Sequence, residues 1–227
     1  MLAAALLVAT AAAFVVIEAL KLEKSPLGGT RVTKLFSPVC GCSTSRARIT
    51  FRLRHNDRVT VSILNPSGAV VRTLARTKPL SKGSATFTWN GRNNSGRLVR
   101  DGLYEPFVDL AAAARSFDLP NEIQVDSTPP RLTIVSARPR VIRGKRDGRA
   151  DKVRIRFRVN EPATTSLRVD GIRRLLLRGT PLAQKLDWNG RADGRLLVGR
   201  HRLVVVSRDL AGNVTRSRPI AVVVRAR

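Results

Sequence analysis

Aromatic residues make up only 4% of this 227-residue chain, which also holds just two cysteines, two histidines and one methionine. So few rings leave little for nucleobase stacking, on which single-strand binding surfaces depend. Cys40 and Cys42 cannot supply a four-cysteine zinc site within one chain, and His55 and His201 stand in no metal-binding or acid–base spacing. No nucleophile elbow, phosphate-cradling glycine loop or paired-carboxylate motif occurs. The expectation is therefore a protein that is not an enzyme and that takes no cofactor. Acids are also scarce: 16 Asp+Glu stand against 42 Lys+Arg. A calcium site needs six to eight oxygens with several carboxylates. The candidates, Asn90, Asn93, Asn94 and Asp101 with Asn189 and Asp193 further on, are too poor in charge and read as turn residues, so no metal is expected.

What the chain does have is a net charge of +26 and a repeat. The charge permits binding to nucleic acid, anionic lipid or an acidic envelope polymer. A coding bias toward Arg would equally place arginines on the solvent faces of strands, where Arg52, Arg54, Arg154, Arg156 and Arg158 alternate with apolar residues. The repeat is Trp89-Asn90-Gly91-Arg92 and Trp188-Asn189-Gly190-Arg191, each holding one of the two tryptophans and each followed by a second Gly-containing turn. An indole needs a core and Asn-Gly suits a tight hairpin, so the pair predicts two copies of one β unit. At 43% hydrophobic residues each copy can bury a core.

Residues 2–20, LAAALLVATAAAFVVIEAL, carry a single charge, Glu18. As a helix they would span about 28 Å, close to the hydrocarbon thickness of a bilayer. Residues 1–20 are read as a transmembrane signal-anchor helix, with a cleaved signal peptide as the competing reading. Lys21, Lys24 and Arg31 follow the run, which by charge alone favours a cytoplasmic C-terminus, although long domains translocate largely regardless of charge. Residues 21–39 read as a linker and a first strand, Arg31 to Phe36. Cys40-Gly41-Cys42 can form a local disulfide, an intermolecular bridge or a free pair.

Short alternating runs then recur with turns every 8–12 residues, the pattern of a β-sandwich. Ala47, Ile49, Phe51 and Leu53 share one face; Val59, Val61 and Ile63 another; Asn65-Pro66-Ser67-Gly68 turns the chain. Pro106 is expected to confine its strand, Leu103 to Val108, to an edge or a bulge. Asp126-Ser127-Thr128-Pro129-Pro130 separates residues 40–126 from residues 127–227. In the second unit Leu167 to Gly171 repeats the earlier turn, and a last hairpin pairs His201–Ser207 with Val214–Val224 across Asp209-Leu210-Ala211-Gly212-Asn213.

Val59 to Leu64, Gly68 to Leu74, Thr88-Trp89-Asn90-Gly91-Arg92-Asn93-Asn94-Ser95-Gly96 and Asp101-Gly102-Leu103-Tyr104 together resemble the immunoglobulin-like domain of flagellar hook-capping proteins. The resemblance covers roughly residues 46–110. Ser127-Thr128-Pro129-Pro130 and the Asp209–Asn213 hairpin resemble the boundary and last hairpin of tandem bacterial immunoglobulin-like repeats. The expected fold is all-β: two tandem immunoglobulin-like β-sandwiches preceded by one transmembrane helix. The resemblance implies an extracytoplasmic spacer or binding module; the hook-assembly segment is not recognisable, so no flagellar role is carried over. Expected partners are the membrane, through the N-terminal helix, and an anionic envelope polymer or a protein, with nucleic acid or strand-edge pairing as alternatives. Candidate contacts are Arg143, Lys145, Arg146 and Arg149 in a basic loop, and Arg173 and Arg174 after the Gly171 turn.

Overall fold

A computed structural model describes residues 25–144, 151–178 and 182–226. The first core is closed by two facing sheets. One has the order β1 (Leu27–Val32), β3 (Ala47–Leu53), β6 (Gly83–Trp89). The other has the order β2 (Leu35–Phe36), β9 (Ile123–Val125), β7 (Gly102–Leu110), β4 (Asp57–Leu64), β5 (Val70–Leu80), with β8 (Arg115–Asp118) added on β7. All pairings are antiparallel except β2 with β9. The second core repeats this strand for strand. Its smaller sheet is β10 (Leu132–Arg138), β12 (Val153–Val159), β15 (Ala183–Trp188). Its larger sheet is β11 (Val141–Arg143), β20 (Ile220–Arg225), β18 (Gly199–Asp209), β13 (Ala163–Val169), β14 (Ile172–Leu177), with β19 (Val214–Arg216) on β18 and β11 again parallel. A two-residue ribbon, β16 (Arg191–Ala192) with β17 (Arg195–Leu196), stands where the first copy has a single bridge from Arg92 to Leu98.

Alternation builds both sandwiches. Along β12 every second side chain is buried, Val153, Ile155, Phe157 and Val159, while Arg154, Arg156 and Arg158 face solvent. Along β3 the buried set is Ala47, Ile49, Phe51 and Leu53. Each Val, Ile, Leu or Phe side chain so withdrawn from water contributes about 1.5–3 kcal/mol. The first core runs from Leu27 to Val125 and the second from Ala137 to Val224.

Four expectations need correction. Arg31 to Phe36 is not one strand: β1 ends at Val32, and the chain crosses to the other sheet as β2, which puts Leu27 and Phe36 into the first core. The last hairpin is also divided, since β19 pairs Val206–Arg208 and, after Ser217-Arg218-Pro219, β20 pairs Gly199–Leu203. Pro106 lies in a central strand, β7, opposite Ile63 of β4. It is tolerated because the strand changes partner there, from β9 at residues 102–104 to β8 at residues 107–110. Finally, Asn90-Gly91 and Asn189-Gly190 are not hairpin turns of the kind that needs two positive φ values; only the glycines are positive, at 70° and 74°. Residues 2–20 lie outside the described residues, among which no helix is long and apolar enough to cross a membrane.

Candidate functional site

The Trp repeat proves to be a structural anchor. Trp89 Nε1 donates to the Arg92 carbonyl at 2.9 Å and Trp188 Nε1 to the Arg191 carbonyl at 3.1 Å. Asn90 and Asn189 each accept the N–H two residues on, and the following arginines donate to Gly96 O and Gly194 O. A side chain at Gly91 or Gly190 would press 2.8 Å from Pro38 Cβ or 2.9 Å from Ile142 Cδ1, so the turn needs glycine for space as well as for φ. Tyr104 packs edge-on against Trp89, 5.1 Å between centroids, and donates to Arg100 O. The second copy puts His201 in that place, 5.6 Å from Trp188 and with Nε2 2.9 Å from Leu197 O. His201 Nδ1 also faces Asp170 Oδ2 at 2.6 Å. Burial pushes the Asp170 carboxyl up, but the Arg202 N–H and His201 outweigh it and hold it below its ordinary value.

The calcium candidates do ordinary turn work. Asn93 Oδ1 accepts from Ser95 and Arg97, Asn94 Oδ1 from Thr73, and Asp193 pairs with Arg174 at 3.2 Å. Burial raises Asp101, yet hydrogen bonds from Ser127 and Thr128 prevail and lower it. The carboxylates that do converge lie elsewhere. Asp126, Glu161 and Asp209 bring their oxygens within 4.8 Å of one another, where the second sandwich meets the first. Burial raises Asp126, against the lowering Thr128 N–H and with repulsion from Asp209 and Asp101, and burial followed by repulsion from Asp209 and Asp126 raises Glu161. The sequence gives no sign of this, because the three acids are far apart along the chain.

That meeting place is built around Asn213, 2% exposed. Its Oδ1 accepts from Ser37 Oγ at 2.5 Å, and its Nδ2 faces Asp126 O at 3.0 Å and Asp209 Oδ2 at 2.9 Å. Thr44 Oγ1 donates to Ala211 O at 2.8 Å. Cys40 and Cys42 form a disulfide, and a side chain on Gly212 would lie 2.6 Å from Cys42 Sγ. The tip Leu210–Asn213, read from sequence as a turn and nothing more, is thus the contact that joins the two sandwiches.

Of the basic candidates, Arg143 ends β11 and is exposed, while Lys145, Arg146 and Arg149 lie outside the described residues. Arg173 and Arg174 do meet other cations. With Lys152 and Arg191 they surround a depression of about 450 Å³ that also includes Asp187 and Asp193. Lys152 and Asp187 are shared with a second depression, of about 460 Å³, lined by Arg138, Arg154 and Arg156. Arg154 holds Asp187 through two 2.8 Å bonds, which lowers the Asp187 carboxyl. Arg174 Nε on β14 is buried without an acceptor, and so is Arg72 Nε on β5.

This strand order and the paired Trp turns describe immunoglobulin-like sandwiches. Residues 41–112 match the FlgD Ig-like domain family. The match covers about a third of the chain, within the first sandwich. Similar solved structures include fibronectin(III)-like modules of Clostridium thermocellum CbhA, 13% identical over 87% of this chain and 94% of that one, TM-score 0.46. FlgD from P. aeruginosa is 18% identical over 51% of this chain and 84% of that one, TM-score 0.31. A bacterial ice-binding adhesin is 13% identical over 90% and 67%, TM-score 0.39. No curated protein matches significantly. The FlgD-like match starts at Gly41, so β1 and β2, which complete the first core, lie before it.

Proposed function

We propose that the chain is a non-catalytic display module of the bacterial cell envelope. A signal-anchor within residues 1–20 holds two immunoglobulin-like sandwiches outside the membrane, and the second presents cationic surface to an anionic wall polymer or a protein. The observation that carries this reading is the junction: Ser37, Thr44, Asp126 and Asn213 are tied across it, as a spacer of defined reach requires. The Arg173–Arg174 depression, with Lys152 and Arg191 around it, supports an anionic partner. Titratable groups with structural partners fit a module without chemistry, since His201 is held between Asp170 and Leu197 O.

The test is protease shaving of intact cells carrying a C-terminal tag, with lysed cells as control. Loss of the tag from intact cells is the expected result. Loss only after lysis would place the sandwiches inside, sink the envelope reading and make nucleic acid the partner to test, by the salt dependence of its binding.

A further inference from the structure

The two sandwiches meet head to tail, so each turns the same pole toward whatever precedes it. In the second sandwich this pole consists of the β12–β13 turn, Asn160-Glu161-Pro162, and the β18–β19 tip, Leu210–Asn213, and it is seated on the first sandwich. The matching pole of the first sandwich is made by the β3–β4 turn, Arg54-His55-Asn56, the β5–β6 turn at Ser81-Lys82, and the β7–β8 tip, Ala111–Ala114. Nothing in the described chain covers it. What precedes it is the apolar run of residues 2–20.

This free pole has its own chemistry. A depression of about 1020 Å³ is lined by Arg52, Arg54, His55, Lys82 and Arg115 and by no acid. The nearby Asp57 spends its carboxylate on backbone N–H groups, taking Ala112 at 2.8 Å, Ala113 at 3.1 Å and Arg58 at 2.6 Å. Beside the cations stands a tip of four alanines, of which Ala111, Ala112 and Ala114 are exposed. The corresponding tip of the second sandwich ends in Asn213, which carries the polar bonds of the junction; the alanine tip has no such side chain. The first strand begins at Leu27, and Arg54 Nε donates to Ser25 O at 2.8 Å, so the chain enters the sandwich at this same pole. From residue 20 to Pro26 an extended chain reaches at most about 20 Å.

We propose that this pole is a docking surface for the anionic headgroups of the bilayer into which the N-terminal segment inserts. Guanidinium and ammonium groups pair with lipid phosphates, and the small alanine tip brings no polar side chain of its own to the headgroup boundary, with its Ala112 and Ala113 N–H groups already bonded to Asp57. Nucleic acid is the weaker fit, because the depression offers a base no Phe, Tyr or Trp ring and only the small imidazole of His55. The inference rests on the anchoring read for residues 1–20.

The full chain, incorporated into nanodiscs of phosphatidylcholine alone or mixed equally with phosphatidylglycerol, provides the test, with amide hydrogen exchange as readout. Residues 52–58 and 111–115 should exchange several-fold more slowly in the anionic discs, and high salt should remove the difference. The variant Arg52→Gln/Arg54→Gln/Lys82→Gln/Arg115→Gln, whose four side chains are exposed, should lose the protection with an unchanged melting transition. The control Arg156→Gln/Arg158→Gln, on the outer face of the second sandwich, should keep it. Equal exchange in both lipids, or protection that survives the fourfold variant, overturns the docking surface while the anchor stands. A chain that fails to enter neutral nanodiscs at all has no anchor, and both readings fall.

Discussion

The same tip on the same hairpin is Ala111–Ala114 in one sandwich and Leu210-Ala211-Gly212-Asn213 in the other. The first is uncovered among the described residues and lies beside a depression with no acid in its lining. The second inserts a buried asparagine and a glycine against the Cys40–Cys42 disulfide. Around it the charge reverses, since Asp126, Glu161 and Asp209 converge there. One strand order therefore carries two poles of different chemistry, and the difference lies in a few loop residues rather than in either core. Within the cores the copies agree at the Trp turn and differ beside it, where Tyr104 is answered by His201.

The largest expected effect tests that core agreement. Trp89→Ala and Trp188→Ala should each cost about 3–5 kcal/mol in urea unfolding, since both indoles are essentially fully buried. Trp89 should be the costlier because Phe36 and Tyr104 both pack on it, whereas His201 is the ring against Trp188. A loss below about 1 kcal/mol at either site would break the equivalence of the two turns. Next in size is the tip itself. Gly212→Val places a Cβ against Cys42 Sγ at a φ of 106°, and should cost the junction about 2–4 kcal/mol and enlarge the radius of gyration in X-ray scattering. Ala112→Val, at the exposed matching tip, should leave both unchanged. Equal behaviour of the two variants would mean that the tips are not differently engaged.

The two cores are legible in the residues themselves, whereas the contrast between the poles is not. Alternation placed β3, β4 and β12 correctly, because a strand with one buried face must write its pattern at a period of two. The Trp-Asn-Gly repeat gave two copies, because a buried indole with a capped N–H constrains its neighbours tightly. What stayed hidden arises from long-range pairing. Nothing near Asn213 announces Ser37, 176 residues away, and a turn sequence such as Asp209–Asn213 reads the same whether it faces water or another sandwich. Pro106 misled for a related reason: a proline excludes a ladder bond at one position, and only the topology shows that β7 is changing partners there. Arg173 and Arg174 are legible as charges, but Arg191 beside them comes from β16 and Lys152 from the segment before β12.

A smaller effect separates Tyr104 from His201. Tyr104→Phe removes one neutral hydrogen bond, to Arg100 O, and should cost about 1 kcal/mol with little dependence on pH across the acid range. His201→Phe removes the ring nitrogens that face Asp170 Oδ2 and Leu197 O, one of which donates in either neutral tautomer, and should cost about 1–3 kcal/mol near neutrality. Asp170 is held below its ordinary value, so its stabilisation is complete above the ordinary aspartate range and is lost as pH falls through the lowered folded value. The gap between wild type and His201→Phe should therefore narrow in acid, while the Tyr104→Phe gap stays flat. Parallel pH profiles for the two variants would show that the histidine serves only as a ring.

The smallest effect has the opposite sign. Glu161 is raised by burial and by the carboxylates of Asp209 and Asp126, so the folded state holds its proton more tightly than the unfolded chain does. A raised acid favours folding while protonated, and stability falls as pH climbs from the ordinary glutamate value through the folded one. Above that window the repulsion is fully present. Glu161→Gln keeps the shape and removes the charge, and so should stabilise the junction at pH 7 by less than about 1 kcal/mol, discounted for partial exposure. The gain should vanish below the ordinary glutamate range, where the native side chain is neutral in both states. Adding salt at pH 7 should shrink it as well. The matched change in the other pole, Asp57→Asn, should destabilise instead, because that carboxylate accepts three backbone N–H groups and has no acid beside it in the turn. Opposite signs for these two neutralisations, read from melting curves at pH 7, would confirm that the two poles differ in charge logic; a stabilising Asp57→Asn would refute it.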